Sequence, residues 1–320
     1  MKVSRERLMG ESQATGFRPE MLEKVIHLLN LLEGFNRHPF LKGRLALKGG
    51  TALNLFLFEM PRLSVDIDLN YIGAADRHTM MAERPRVEQA IQAVCSREGM
   101  NITRMPTDHA GGKWRLRYDS ALSEGGNLEV DLNFMFRVPL WAVTSRSATV
   151  GSYSATQIPV LDLHELAAGK LVALLSRHAS RDLFDAQQLL MRGDLDRTKL
   201  RLGFVLYGAM NRKDWRSVAI DDVGYEHREL ENELIPVVRA EVLAKQKSGD
   251  WAKRMIAECR DRLGAVLPMV ANELAFLDRI LDQGEIEPEL LTTDDEMIER
   301  IRIHPLLQWK AVNVRKHRKG

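Results

Sequence analysis

Residues 64–69 read Ser-Val-Asp-Ile-Asp-Leu, an unbroken alternation of polar and apolar side chains. Period two is the signature of a half-buried strand, so Asp66 and Asp68 share one face while Val65, Ile67 and Leu69 share the other. At a rise of ~3.3 Å per residue the two acids stand roughly 7 Å apart along the backbone. Like charges so placed raise each other's pKa, a cost that a purely structural strand rarely carries. A solvated strand edge is the plain alternative for such a tripeptide taken alone.

The neighbouring sequence adds to the signal. Gly49-Gly50-Thr51 follows a short apolar strand ending at Lys48 and opens a helix over 51–59. A glycine turn at a helix N-terminus offers free N–H groups and the positive dipole end to a phosphate. Thr51 doubles as a candidate N-cap, and Ser64 lies on the face of Asp66, able to bond a phosphate oxygen. Downstream, residues 113–120 and 126–136 read as a strand hairpin around Ser-Ala-Leu-Ser-Glu-Gly-Gly. Asp131 alternates with apolar residues there and supplies a third carboxylate, with Glu129 on the same face as its substitute. Acidic side chains on adjacent strands suit Mg²⁺ or Mn²⁺, hard cations that share oxygen ligands with substrate phosphates. Two such ions can activate an attacking hydroxyl and steady a leaving pyrophosphate.

The rest of the chain divides by composition. Residues 19–35 and 83–98 have helical spacing, and a further β segment lies near 156–160. From about residue 161 the pattern is helical, with helices expected at 162–177, 181–191, 198–209, 228–247, 250–263, 265–282 and 294–303. Asp162 followed by Glu165 looks like a capping box. The expected fold is α+β: a small mixed β-sheet core with flanking helices over 1–160, then an α-helical domain over 161–320. Lys170 and Arg177 fall on one side of the 162–177 helix, two cations suited to β- and γ-phosphates. Arg181 and Asp185 stand at i, i+4, where a surface ion pair is the plain alternative; the favoured reading gives Asp185 a role beside Lys170, orienting its ammonium or accepting a proton.

Cys95 and Cys259 are the only cysteines, which excludes a disulfide framework and argues against a zinc site. No secretory signal or bilayer-length apolar run is visible, so a cytoplasmic location without membrane contact is expected. With 46 basic and 44 acidic residues the chain is no polycation. Its end, from Lys310 to Gly320, nevertheless carries five Lys or Arg and no acid, an RNA-contacting or simply solvated tail. Lys199, Arg201, Arg212, Lys213 and Arg216 are candidates for a basic cleft or for solvated helix faces. The five tryptophans read as core or interface residues. No Walker loop, GxSxG elbow, HExxH or GxGxxG is present.

Taken together, GGTALNLFLFEMPRLSVDIDL, LEVDLNF and KLVALLSRHASRDLFD resemble the AbiEii/AbiGii toxin family of nucleotidyltransferases, relatives of DNA polymerase β that include the mycobacterial MenT toxins. The resemblance covers about residues 40–190. It implies that Gly50 and Thr51 open the first motif, with Thr where the family has Ser, and that Asp66 and Asp68 bind metal. It further implies that Lys170 contacts the triphosphate and that Asp185 closes the downstream motif. The implied protein is a toxin of a toxin–antitoxin or abortive-infection pair, with a cognate antitoxin. It would transfer NMP from an NTP to an acceptor hydroxyl, with a tRNA 3′ end as acceptor in the MenT branch. Rival readings are an aminoglycoside-type transferase acting on a small molecule, and a non-catalytic RNA- or partner-binding protein.

Overall fold

The computed structural model describes residues 3–108, 110–243 and 246–318. The chain forms two compact units, both discontinuous in sequence. One comprises Met1–Arg137, Val143–Leu161 and Ile235–Gln246; the other comprises Val138–Ala142, Asp162–Leu234 and Lys247–Gly320.

The first unit is built on a seven-stranded mixed sheet. Its strands are β1 (Leu45–Lys48), β2 (Asp66–Tyr71), β3 (Asn101–Arg104), β4 (Gly111–Tyr118), β5 (Gly126–Asn133), β6 (Thr144–Val150) and β7 (Tyr153–Val160), in the order β3-β4-β5-β2-β1-β7-β6. The pairs β2/β5 and β1/β7 are parallel and the others antiparallel. Alternation sets the two faces. Ile67, Leu69, Tyr71, Trp114, Leu116, Val130 and Leu132 are buried, each at most 2% exposed. The side chains between them carry the charges.

Two helices in this unit lie close together: α2 (Pro19–Arg37), after the short α1 (Arg5–Thr15), and α4 (Arg77–Arg97). Pro19 sits at the first position of α2, where its missing N–H costs nothing. His27 of α2 packs its ring 4.1 Å from that of Tyr118, and Glu23 accepts hydrogen bonds from the Ser120 hydroxyl and the Ala121 N–H, both at 2.6 Å. Gly34 lets α2 approach α4, since a Cβ there would meet Val94 Cγ1 at 2.7 Å. Helix α4 begins at Arg77, six residues ahead of the expected start, because the Asp76 carboxylate caps it from the Thr79 N–H at 2.8 Å and the helix runs through Pro85.

The second unit opens with α5 (Leu163–Ser176), α6 (Ser180–Leu190) and α7 (Arg197–Ala209), followed by helices Ser248–Arg262, Ala271–Asp278, Asp295–Ile303 and Pro305–Arg318. Two expected helices are corrected. The 228–247 span breaks into short turns around Pro236, which cannot donate to a helical ladder; Ile235–Gln246 belongs to the first unit, where Leu63 N–H meets Val237 O at 2.8 Å. Residues 244–245 of that span lie outside the described residues. The 265–282 span starts only at Ala271, past Pro268. The basic end is helical rather than a loose tail, and Lys310 donates to Asn211 O at 2.7 Å. Residues 319–320 lie outside the described set. Trp114, Trp215 and Trp251 are core residues as expected, whereas Trp309 is 55% exposed.

The capping box at Asp162 is also corrected. Asp162 caps α5 through the His164 N–H at 2.8 Å, but Glu165 turns inward, 1% exposed, and accepts from Leu140 N–H at 3.0 Å and the Tyr207 hydroxyl at 2.9 Å. Burial outweighs these donors and pushes its carboxyl up to about 7 from its ordinary 4.5. An acid raised on folding contributes stability fully below its unfolded pKa and loses it as pH rises through the folded value. At 1.36 kcal/mol per unit the loss is about 3 kcal/mol between roughly pH 4.5 and 7. Urea midpoints measured across that range should therefore fall with pH in the wild type and lose this slope in Glu165→Gln.

Candidate active site

Register brings the charged face of the sheet together. Asp68 lies opposite Asp131 across the parallel β2/β5 pair, and Asp66 opposite Glu129. The Asp68–Asp131 row is flanked on both sides by lysine: Lys48 pairs with Asp68 from β1, and Lys113 pairs with Asp131 from β4. Adjacent strands stand about 4.8 Å apart, so Asp68 and Asp131 emerge side by side with Asp66 one pleat repeat away. Lys48 and Lys113 were not singled out from sequence. Lys113 had a readable signal, because it alternates with Trp114 and Leu116 and so must share the face of Asp131 through the hairpin.

The carboxylates are not equivalent. Glu129 is held by Lys113 at 2.8 Å and Arg115 at 3.1 Å, and the Lys113 bond keeps its carboxyl below the usual range. Asp131 makes no hydrogen bond or ion pair with any described residue. Burial and then the Asp68 charge raise its pKa, with Lys48 and Lys113 opposing. Lys113 is raised in turn, first by its bond to Glu129 and further by the charges of Asp66 and Asp131.

The turn that enters this face is specified by glycine. Gly49 has φ +72°, and a Cβ on it would fall 2.1 Å from Asp68 Oδ2. No other residue leaves that carboxylate its place. From there α3 runs over Gly49–Thr51 and widens into a π turn over Ala52–Leu57, with Phe58 N–H bonding Leu53 O at 2.8 Å. Such turns are frequent at functional sites. Thr51 is not the N-cap, a position taken by Lys48. The Thr51 hydroxyl, fully buried, donates to the Asp66 carbonyl and contacts Ser64 Oγ at 2.9 Å, tying the helix to the start of the DxD strand. Gly50 is buried, and its carbonyl accepts from Asn54 at 2.9 Å.

A second group gathers within the helical unit. Lys170 Nζ lies 2.8 Å from Asp182 Oδ1 and 2.8 Å from Asp185 Oδ2. Arg177, just past α5 in extended conformation, reaches Asp182 Oδ2 at 2.6 Å. Asp185 is completely buried rather than at the surface, and it lies beside Lys170 as the orienting reading expects; Arg181 pairs with Glu233 at 3.4 Å. Asp182, 2% exposed, was missed from sequence. Burial opposes its ionisation, but Lys170 and Arg177 prevail and hold it well below the usual carboxylate range. The basic residues nominated for a cleft are mostly neutralised. Arg201 pairs with Glu273 at 2.6 Å, Lys213 with Asp222 at 2.8 Å, and Arg216 with Asp214, Asp278 and Asp282.

Among the described residues no three or more His, Cys, Asp or Glu side chains form a group able to hold a metal ion by themselves. The donor set formed by Asp68 and Asp131 with Asp66 nearby nonetheless suits Mg²⁺, which typically takes one or two carboxylates and completes its shell with water and substrate phosphates.

The family model described as nucleotidyl transferase AbiEii toxin, type IV toxin–antitoxin system, matches residues 30–261. The chain belongs to the AbiEii family of nucleotidyltransferase toxins. No curated protein matches its sequence. Among solved structures, MenT4, a nucleotidyltransferase toxin from Mycobacterium tuberculosis H37Rv, superposes with a TM-score of 0.57 at 18% identity, over 95% of this chain and 99% of that one. At that identity the likeness is one of fold. AbiEii membership implies an antitoxin partner. No helix among the described residues is long and apolar enough to cross a membrane.

Proposed function

We propose that this AbiEii chain transfers a nucleoside monophosphate from an NTP to a hydroxyl of RNA, with the 3′ end of a tRNA as acceptor and pyrophosphate as the leaving group. The observation that carries the reading is the Asp68–Asp131 register, with Asp66 beside it and a lysine on each flank. A divalent cation, Mg²⁺ or Mn²⁺, on Asp68 and Asp131 with Asp66 nearby, its shell completed by water and substrate phosphates, would supply charge neutralisation and a lowered hydroxyl pKa. The chain's own residues do the rest. Lys48 and Lys113 offset part of the negative charge of this row. The Gly49–Thr51 turn presents backbone N–H groups to a phosphate. Ser64 and the Thr51 hydroxyl serve the same phosphate cradle by fixing where β2 begins. Lys170, held by Asp182 and Asp185, is the lysine that the family resemblance assigns to the triphosphate, with Arg177 as its companion cation.

Incubation of the purified chain with each α-labelled NTP, Mg²⁺ and total RNA tests this. Label from one NTP should appear on RNA 3′ ends. Label only on small molecules in an RNA-free extract would overturn the acceptor. Absence of both label and Mg²⁺-dependent NTP binding would overturn the transfer reading itself and favour a non-catalytic binding protein.

A further inference from the structure

The loop after α2 and one flank of α4 enclose a cleft of about 610 Å³ whose walls include His38, Phe40, Arg44, Arg86 and Gln89. It lies at the far end of β1 from the candidate active site. Arg44 immediately precedes Leu45, which pairs with Tyr71, whereas Lys48 is the β1 residue beside Asp68.

The charges of this cleft are unbalanced. Arg44 is committed to Glu83, through Nε at 3.0 Å and Nη2 at 3.3 Å, and Glu83 also accepts the Tyr71 hydroxyl at 2.7 Å. That carboxylate is bonded from two sides and also feels the Arg86 charge, and no carboxylate is among the residues lining the cleft, which leaves two arginines against one shared acid. Arg86 makes no hydrogen bond or ion pair with any described residue. It is nevertheless placed, with its guanidinium carbon 4.1 Å from the centroid of the Phe40 ring. His38 Nδ1 accepts the Phe40 N–H at 3.2 Å, so the neutral ring carries its proton on Nε2.

A guanidinium already stacked on an aromatic ring loses little further freedom when it grips a ligand, and its planar fork matches phosphate oxygens. The cleft is also within the ~300–1,000 Å³ range of small-ligand sites. We propose that this cleft is a second, non-catalytic phosphate site, in which Arg86 and the His38 Nε2–H bind a phosphoryl or phosphodiester oxygen. An RNA strand and a free nucleotide offer that same chemistry. The proposal goes beyond the transfer reading and does not need the acceptor to be RNA.

The test is equilibrium binding to the full chain without divalent cation, read separately from transfer. Fluorescence anisotropy is measured with a labelled single-stranded RNA oligonucleotide and, in parallel, with a labelled ATP. Arg86→Ala, an exposed helical position where alanine is a good helix former, should raise the Kd at least about 5-fold and flatten the salt dependence by about one ion. His38→Gln should weaken binding less. A loss confined to RNA assigns a strand, and a loss that includes ATP assigns a nucleotide; either supports the site. Unchanged Kd for both ligands, in variants with unchanged melting temperature, overturns it.

Discussion

Asp66→Ala is expected to remove nucleotidyl transfer by at least about 10³-fold, roughly 4 kcal/mol of transition-state stabilisation, while leaving the fold in place. The two halves of this expectation come from one geometry. Asp66 shares its face of the sheet with Asp68, Glu129 and Asp131, so alanine there removes one of several neighbouring carboxylates. It is half-buried, and alanine in its place leaves the apolar side of β2 untouched, with Ile67 and Leu69 still packed. The measurement is label transfer beside thermal melting. Transfer retained within about 10-fold would sink the catalytic assignment, because loss of a charge-stabilising group in a reaction of this class costs far more than that.

Lys170→Ala is expected to act the other way, on stability first. The lysine separates two carboxylates that are 2% and 0% exposed. Without it both acids lose the cation they share, though Arg177, itself largely exposed, still reaches Asp182. Breaking a buried ion pair by removing one partner costs about 3–5 kcal/mol. For a unit of this size that corresponds to a melting temperature lower by roughly 10 °C. Urea unfolding at pH 8 checks this, and a loss below about 1 kcal/mol would show that the cluster contributes little.

The sequence exposes these features unevenly, and the reasons are physical. The DxD strand was legible because one side of β2 packs on the core and the other does not, so alternation survives in the residues. Strands β3 and β6 were invisible for the opposite reason: they occupy the two edges of the sheet, and residues such as Asn101, Arg104, Thr144 and Arg146 face solvent. An edge strand needs no apolar period. Asp131 could be nominated from its own alternation, but its choice over Glu129 required cross-strand register, which shows Glu129 engaged by Lys113 and Arg115. Thr51 was read as a helix cap because a hydroxyl before a helix usually is one; here Gly49, with its positive φ, starts the helix two residues earlier. Asp182 escaped notice because an acid three residues before Asp185 on an amphipathic helix looks like a solvated face, and only packing shows it sealed inside with Lys170.

The parallel pairing of β2 with β5 has a consequence for how this toxin comes into being. Asp66 and Asp68 leave the ribosome well before Asp131, and the strand that carries Asp131 can reach β2 only after the whole α4–β3–β4 segment has been made and folded back. Pairings between segments so distant in sequence close late in folding. A half-made or truncated chain therefore holds the DxD strand without the neighbouring strand that sets Asp131 beside Asp68.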